Sequence, residues 1–423
     1  MQKKILIVVE SIDIEDSSGS KANVAFIENL HKIGYDLKVY HYTRKEINLE
    51  GISCVAITEK RKSVLFYLSR LERYIRIYFK IKLNKPLEEI FGFSFTLIND
   101  RNSITRGLRN TKSWNPDLVL TLSQGGRFRP HHTLATIPSM QDKWMAYIHD
   151  PYPMHWYPKP YPWFEPGFKQ KENFMKDIAT KARITAFPSQ LLMEWMGSHF
   201  APYQSKGVVI PHQMVKEEEF SEDLPSYFNE KKFNLVHAGN LINGRNPTGL
   251  ILGFKKFIED NIEASKEARL IFLGGENFYS KELSIHENNI PEFHLSKGKL
   301  SFNLVQNLQK RSAVNIILEA KSDFSPFLPG KFPHCVLANK LILHLGPFNS
   351  EVKRLLGESY KYHTQIDDIE EISLLIANLY RRWKKNTNEM QLNRPDLEKY
   401  LSKDHLEEVM KFAFKKIENE KLS

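Results

Sequence analysis

Short apolar runs alternate with segments of helical periodicity along most of the chain. Ile5 to Val9 is a continuous apolar run, typical of a parallel strand that is covered on both faces. From Ala22 to Ile33 apolar residues recur at three- and four-residue spacing, which predicts a helix, and Gly34 stands where its C-terminus is expected. Leu37 to Tyr40 resumes the strand pattern. The opening of the chain therefore predicts one βαβ unit.

The same alternation recurs and predicts two series of strands. The first series covers 118–122, 145–148, 184–187 and 208–210, and the second covers 234–238, 270–273, 314–318 and 341–345. Helical patterns separate the strands and fill the end of the chain over 366–385 and 396–421. Strands that alternate with helices imply parallel sheets.

We therefore expect an α/β protein with two Rossmann-like domains facing a central cleft. The acidic, helix-poor segment 216–232 is typical of a linker between them. The expected domains are residues 1–215 and 216–395, with a last helix over 396–423 that packs back towards the first domain.

The amino-acid composition is that of a globular protein and argues against several other classes. Of the 423 residues, 41% are hydrophobic and 26% are charged, which is ordinary for a globular chain. No apolar stretch approaches the roughly 20 residues that cross a bilayer, and Ile5 to Val9 is too short for a signal-peptide core. Cys54 and Cys335 are too few for a disulfide framework or a cysteine metal site. These observations favour a reducing cytoplasm.

The net charge of +10 is concentrated between Lys60 and Lys112. Arg70, Arg73 and Arg76 recur there at helical spacing, beside apolar residues from Leu65 to Phe79. A basic amphipathic helix is typical of elements that contact an acidic membrane surface. The other interpretation is a helix whose apolar side faces the core and whose charged side is solvated.

The segment from Ser325 to Lys340 carries the first candidate chemistry. Pro329 and Gly330 predict the end of a loop and the start of a helix near Lys331. A helix N-terminus and a lysine beside it suit a pyrophosphate, and the alternative is a plain loop with a surface lysine.

A second candidate segment follows the first strand of the second series. Gly239 and Asn240 stand at the strand end, where glycine lets the backbone approach a ligand. Arg245 offers a planar fork that matches phosphate oxygens. Gly274 and Gly275 follow the next strand and are expected to admit a base or a ribose.

These segments resemble the nucleotide-sugar half of family 4 retaining glycosyltransferases, which have the B-type (GT-B) fold. Gly239, Asn240 and Arg245 lie on the motif that opens that half in the family. Ser325 to Lys331 lies on the second motif, in the SPFxPxK form found in divergent bacterial members. The resemblance implies a nucleoside diphosphate sugar as donor, without a metal or other cofactor, and places Ser325 and His334 among the donor-binding residues.

The resemblance also implies roles in the first domain. His149 follows a strand and is similar to the family's strand-end histidine near the transferred sugar, so His149, Arg245 and Lys331 are the expected catalytic residues. Gly19, in Ser18-Gly19-Ser20, takes the place of the family's glycine-rich loop. A structural histidine and an ordinary helix cap are the alternatives for these two positions.

Two departures keep other functions open. The two glutamates that the family often carries eight positions apart fall on Pro326 and His334. Their absence favours a non-catalytic relative that acts as a binding module, and a UDP-sugar epimerase on the same fold is a further alternative. A nucleic-acid partner is not expected.

The acceptor implied by the resemblance is a saccharide or a lipid-linked molecule. The setting that the resemblance implies is bacterial surface polysaccharide or glycoconjugate synthesis. The enzyme is then cytoplasmic and works at the inner membrane surface.

Overall fold

The computed structural model describes residues 2–214, 224–274, 278–298 and 300–419, apart from the side chains at 110, 112 and 113. The chain forms two compact units, Met1–Gln213 with Leu401–Ser423, and Met214–Tyr400. Of the sequence expectations, Gly275, the first half of the segment 216–232 and the last two residues of the helix 396–421 lie outside the described residues. Each unit is an α/β structure with a parallel sheet, so the predicted fold class of two Rossmann-like domains is confirmed.

The first unit is built on a seven-stranded parallel sheet with the order β3-β2-β1-β4-β5-β6-β7. Its strands are β1 Lys4–Val9, β2 Asp36–His41, β3 Ser53–Ala56, β4 Leu118–Leu122, β5 Trp144–Tyr147, β6 Ile184–Phe187 and β7 Gly207–Val209. In this order β1 lies between β2 and β4, so the chain moves outward from β1 in both directions. Such a reversal of strand order is where open α/β sheets bind ligands.

Both faces of this sheet are buried, as the continuous apolar run of β1 predicts. Ile5 and Ile7 belong to one hydrophobic cluster and Leu6 and Val8 to another, because successive side chains of a strand point to opposite faces. Ile7 pairs with Val39 on one side and with Leu120 on the other.

Helices cover the two faces of this sheet. They are α1 Ser18–Ile33, α2 Val64–Tyr78, α3 Asn84–Phe91, α4 Phe95–Gly107, α5 Arg129–Leu134, α6 Pro138–Gln141, α7 Phe168–Lys181, α8 Gln190–His199 and α9 Pro202–Ser205. Short 3₁₀ helices cover Leu108–Trp114 and Met154–Trp156. Helix α1 ends at Gly34, whose φ of 103° is the left-handed conformation expected of a glycine C-cap.

The second unit is built on a six-stranded parallel sheet with the order β10-β9-β8-β11-β13-β15. Its strands are β8 Phe233–Ala238, β9 Ala268–Leu273, β10 Phe293–Leu295, β11 Val314–Leu318, β13 Leu341–Leu345 and β15 His363–Thr364, and β12 Phe324–Ser325 pairs separately with β14 Asn349–Ser350. The order reverses between β8 and β11. The second unit therefore has its own switch point.

The helices of the second unit pack against this sheet. They are α10 Thr248–Asp260, α11 Ile262–Glu267, α12 Ser280–Asn289, α13 Phe302–Arg311, α14 Phe332–Leu337, α15 Glu351–Leu356, α16 Ile369–Lys385 and α17 Pro395–Tyr400, with a 3₁₀ helix over Thr387–Met390. Alternate residues of β8 again enter different clusters, Leu235 on one face and Val236 on the other.

The last helix, α18 Lys403–Asn419, belongs to the first unit. It packs on α1, and its apolar residues Leu406, Met410 and Phe414 join the cluster on one face of the first sheet. The expectation of one helix over 396–421 is wrong in detail, because Leu401 and Ser402 separate α17 from α18. No helix among the described residues has both the length and the apolar character needed to cross a membrane.

Candidate functional site

The switch point of the second unit brings polar groups to the carboxyl ends of β8 and β11. His237 lies next to last in β8 and pairs in register with Ile316 of β11. Gly239 follows β8 directly, and Glu319 follows β11. Lys331 immediately precedes α14, on the connection that leaves β11. The fold therefore collects residues that are almost a hundred positions apart in sequence.

His237 is buried and holds one hydrogen bond on each ring nitrogen. Its Nδ1 lies 3.2 Å from the carbonyl oxygen of Ile316, so Nδ1 must carry the proton and donate it. Its Nε2 is left as an acceptor 3.2 Å from the Nζ of Lys331. Burial, and then the charge of Lys331, holds the pKa of His237 well below its usual 6.5. The imidazole is therefore neutral and fixed in one tautomer.

Lys331 sits in an environment that disfavours its own charge. Burial of the ammonium, and then repulsion from Arg245, lowers the pKa of Lys331 from 10.5 to about 7. The nearby Cys335 offers no anion, because burial raises the pKa of its thiol to about 12. Among the described residues, no carboxylate offsets this shift in the pKa of Lys331. An anionic ligand would therefore stabilise the charged form of Lys331.

Arg245 lies on a tight turn after β8. Gly244, just before it, has a φ of 91°, and its amide donates to the Tyr279 hydroxyl at 3.2 Å. The Arg245 amide donates to the carbonyl of Ile242 at 3.1 Å and closes the turn. Its side-chain Nε is buried and has no hydrogen-bond partner among the described residues. A buried guanidinium donor without a partner is costly unless a ligand satisfies it.

Glycines hold the strand ends close to Lys331. Gly239 has a φ of 117°, and a Cβ added there would lie 3.3 Å from the Lys331 Nζ. Its amide donates to the carbonyl of Leu273 at 2.7 Å. A Cβ added at Gly274 would lie 3.2 Å from the Gly239 carbonyl oxygen, so the two strand-end glycines approach each other. Asn240 follows Gly239 and is exposed.

A buried carboxylate anchors the loop that leads to Lys331. Glu319 is 2% exposed, and its Oε1 lies 2.7 Å from the Nε2 of His344 in β13. Its Oε2 accepts a hydrogen bond from the hydroxyl of Ser325. The Ser325 hydroxyl, expected to bind the donor, is thus engaged within the protein. The sequence reasoning missed Glu319 and His344, although an acid directly after a buried strand was a usable signal.

His334 is on the first turn of α14. Its Nδ1 lies 3.4 Å from the Nε2 of Gln306, and its ring meets the Phe302 ring edge to face at 4.9 Å. Helix α14 is only six residues long, so few aligned peptide dipoles add up at the N-terminus where a pyrophosphate is expected to bind. The cations of Lys331 and Arg245 are therefore the main positive features of this site.

His149 lies two residues after the end of β5 in the first unit. Its backbone amide donates to the Ser123 hydroxyl at 3.0 Å, and its Nδ1 lies 3.2 Å from the same oxygen. The ring stacks on His212 with centroids 5.8 Å apart. Burial, and then the charge of His212, holds the pKa of His149 well below its usual value. The side chain is neutral and held in place, which fits either a structural or a ligand-contacting residue.

Gly19 is not in a glycine-rich loop. Ser17 caps α1 by accepting a hydrogen bond from the Ser20 amide at 3.1 Å, so residues 18–20 form the first helical turn. A Cβ added at Gly19 would lie 3.0 Å from the Cγ of Gln124, which follows β4. The expectation of a loop is wrong because the serine before it starts the helix, and Gly19 serves close packing at this position.

The three arginines of the basic segment lie on α2 of the first unit. Arg70 stacks over the Phe66 ring at 4.7 Å and lies 3.6 Å from Glu59. Arg76 is 3.9 Å from Glu72, and Arg73 is exposed. The arginines belong to the first unit, and Lys331 belongs to the second.

The chemistry of the Lys331 cluster is that of anion binding. Around the neutral His237 lie Arg245, two strand-end glycines and Lys331, whose charged form an anion would favour. No group of three or more His, Cys, Asp or Glu among the described residues is arranged to hold a metal ion. The arrangement suits a diphosphate, whose oxygens would meet Lys331 and Arg245 together.

This chain matches known proteins in structure but not in sequence. No protein-family model matches the sequence, and no curated protein matches it significantly. Solved structures nevertheless match over almost the whole chain. A trehalose-6-phosphate synthase, OtsA, is 9% identical with a TM-score of 0.66, covering 98% of this chain and 99% of that one.

Two further matches carry sugar ligands. A trehalose-6-phosphate synthase from E. coli bound with UDP-2-fluoro glucose is 8% identical, with a TM-score of 0.58 and coverage of 93% and 97%. An α,α-trehalose-phosphate synthase from Burkholderia xenovorans in complex with glucose-6-phosphate is 7% identical, with a TM-score of 0.61 and coverage of 97% and 100%. What this chain shares with these glycosyltransferases, at such low identity, is the fold.

Proposed function

We propose that this protein is a glycosyltransferase that takes a sugar from a nucleoside diphosphate sugar. The observation that carries the proposal is the pair of cations, Lys331 and Arg245, at the switch point of the second unit. Neither makes an ion pair with a carboxylate among the described residues, and one guanidinium nitrogen is buried without a partner. A diphosphate supplies the missing negative charge.

The proposed chemistry is charge stabilisation on the departing diphosphate. As the bond from the sugar to the phosphate oxygen breaks, negative charge grows on that oxygen, and cationic side chains positioned beside it lower its free energy. His237 holds Lys331 at the strand end through a 3.2 Å hydrogen bond. A bound diphosphate favours the ammonium form, so the ligand draws a proton onto Lys331.

The solved structures with this fold support the choice of donor and acceptor classes. One holds UDP-2-fluoro glucose and another holds glucose-6-phosphate. We carry over only the classes, a nucleotide-sugar donor and a saccharide acceptor. A lipid-linked acceptor, retention of anomeric configuration and a place in bacterial surface polysaccharide synthesis rest on the family resemblance and are part of the proposal.

Isothermal titration calorimetry with UDP, GDP, ADP and CMP, followed by their common sugars, tests the donor site. We expect one diphosphate to bind the wild type, and Arg245→Ala and Lys331→Ala each to weaken that binding by roughly tenfold to a hundredfold, the value of a charge-assisted hydrogen bond. Lys255→Ala is the matched control, because Lys255 is an exposed lysine on α10. No binding by any nucleotide to folded protein would overturn the donor site.

A non-catalytic relative is the second candidate. Pro326 and His334 occupy the positions where the resembling family often carries glutamates. This candidate predicts nucleotide binding that needs Arg245 and Lys331, without release of nucleoside diphosphate from any sugar donor. A turnover assay that follows the released diphosphate, with the tightest-binding donor and a panel of saccharide acceptors, distinguishes the two.

A further inference from the structure

Helix α2 turns its apolar side away from the protein. Val64, Tyr67, Leu68, Leu71, Tyr74 and Tyr78 recur at three- and four-residue spacing and form one stripe, here called the exposed stripe. All six are exposed, with 75% for Val64, 54% for Leu71 and 67% for Tyr78. An amphipathic helix of a globular protein normally buries this side. The alternative interpretation of this segment, a helix whose apolar side faces the core, is therefore wrong for most of its apolar residues.

The opposite side of α2 fixes its orientation. Helix α2 packs on α4. The Ser63 hydroxyl, which caps α2, donates to the Asn99 side chain of α4 at 2.6 Å. Ser69 is the buried residue of α2, and its hydroxyl donates to the Phe66 carbonyl at 2.7 Å. A polar contact thus holds the helix on the protein and leaves the exposed stripe outward.

Exposed apolar residues continue along the chain beyond the helix. Phe79 and Ile81 follow α2, and Ile90 and Phe91 lie on α3, and all four are more than half exposed. Eleven of the 21 large exposed hydrophobic residues of the described chain fall between 64 and 91. Exposed apolar residues concentrated in one segment in this way are typical of an interaction site.

Basic residues surround the same surface. Residues 60–85 contain nine lysines and arginines and one acid, Glu72, so they carry most of the net charge of +10. Lys60, Arg61 and Lys62 precede the helix, and Lys80, Lys82 and Lys85 follow it. The surface therefore combines an apolar stripe with a strong positive charge at both of its ends.

We propose that α2 and α3 bind the surface of a lipid bilayer that contains anionic headgroups. The exposed stripe enters the interfacial region, and the flanking lysines and arginines meet the headgroup phosphates. A second copy of this chain is a poor occupant, because it would bring two strongly positive surfaces together. A nucleic acid would pair with the charges but leave the apolar stripe against a hydrated polyanion. This inference is independent of the proposed transfer reaction.

Vesicle co-sedimentation of the full chain tests the proposal. Phosphatidylcholine vesicles with and without phosphatidylglycerol are compared at low and high salt. We expect binding to the anionic vesicles, weak binding to phosphatidylcholine alone, and loss of binding as salt rises, since surface charge interactions are screened. Equal binding to both kinds of vesicle, or none, would overturn it.

Three variants separate the apolar and charged contributions. Leu71→Gln with Tyr74→Gln is expected to weaken binding about tenfold or more, because interfacial binding scales with buried apolar area. Lys62→Gln with Lys82→Gln, at exposed lysines on either side of the helix, is expected to weaken it about fivefold for each charge removed. Leu374→Gln, at an exposed leucine of α16 in the second unit, is the control and keeps wild-type binding.

Sedimentation velocity completes the experiment. We expect the wild type and the Leu71→Gln, Tyr74→Gln variant to have the same association state in solution. A wild-type dimer that this variant dissociates would mean that a second copy covers the exposed stripe, and it would overturn the membrane assignment. Because all of these side chains are exposed, the variants are expected to fold.

Discussion

Replacing Lys331 by methionine removes a charge that the folded protein disfavours. The folded state lowers the pKa of this lysine from 10.5 to about 7, whereas the unfolded chain keeps the ordinary value. Between pH 7 and 10.5 the unfolded state therefore binds a proton that the folded state does not. Stability of the second unit consequently rises with pH across this window, and the whole penalty is present below pH 7.

The size of this penalty follows from the pKa change. A drop from 10.5 to about 7 corresponds to about 5 kcal/mol of unfolding free energy. Lys331 keeps some solvent exposure, which screens its charge, so we expect about 2 kcal/mol in practice. Methionine also leaves the His237 Nε2 without its donor, which costs about 1 kcal/mol. The net gain for Lys331→Met at neutral pH is then about 1 kcal/mol.

Urea unfolding at several pH values between 7 and 10, followed by circular dichroism, measures this effect. We expect the stability advantage of Lys331→Met over the wild type to be largest at pH 7 and to shrink as pH rises. Lys255→Met, at an exposed lysine that lies 3.6 Å from Glu259, is the control and should show no such trend. A difference between Lys331→Met and wild type that stays constant across this range would refute the reasoning.

Three further predictions concern the same cluster. Above pH 7, nucleotide binding should take up a proton on Lys331, so the affinity should fall with rising pH, and calorimetry in buffers of different ionisation enthalpy would detect no uptake if the idea is wrong. Glu319→Gln should release the Ser325 loop and weaken nucleotide binding by about tenfold, and unchanged affinity in a folded variant would argue against an anchoring role. Gly239→Ala should cost about 1–3 kcal/mol by forcing a side chain into a left-handed conformation and should also weaken nucleotide binding. Gly298→Ala is the control, because a Cβ added there meets no atom within 4 Å; it should lower stability without changing nucleotide affinity. Equal nucleotide affinity in the two variants would count against a close approach of the ligand at Gly239.

Four strands of the second unit, β8, β9, β11 and β13, were predictable because they are buried on both faces, whereas the short β10, β12, β14 and β15 were not predicted. A continuous apolar run fixes such a strand without knowledge of its neighbours, and β11 and β13 have the predicted bounds, 314–318 and 341–345. The positions of Gly239 and Arg245 after β8 followed from the same rule, since the loop after a buried strand must lie at the sheet edge.

Other features depend on contacts that no periodic pattern contains. The stripe of α2 has the same spacing whether it faces a core or the solvent, so its exposure could not be read from the sequence. Glu319 and His344 are 25 residues apart, and only the pairing of β11 with β13 brings them together. The Ser17 cap moved Gly19 from a loop into a helix, because one side-chain hydrogen bond decides where α1 begins.

The return of α18 to the first unit has a consequence for synthesis on the ribosome. The first sheet is translated early, but one of its faces is completed by Leu406, Met410 and Phe414, which emerge after the whole second unit. The Tyr35 ring packs 5.6 Å from the Phe414 ring, and Lys3 pairs with Glu418. Nascent chains must therefore keep an apolar face of the N-terminal unit uncovered until late in translation, a period when holding chaperones would bind it.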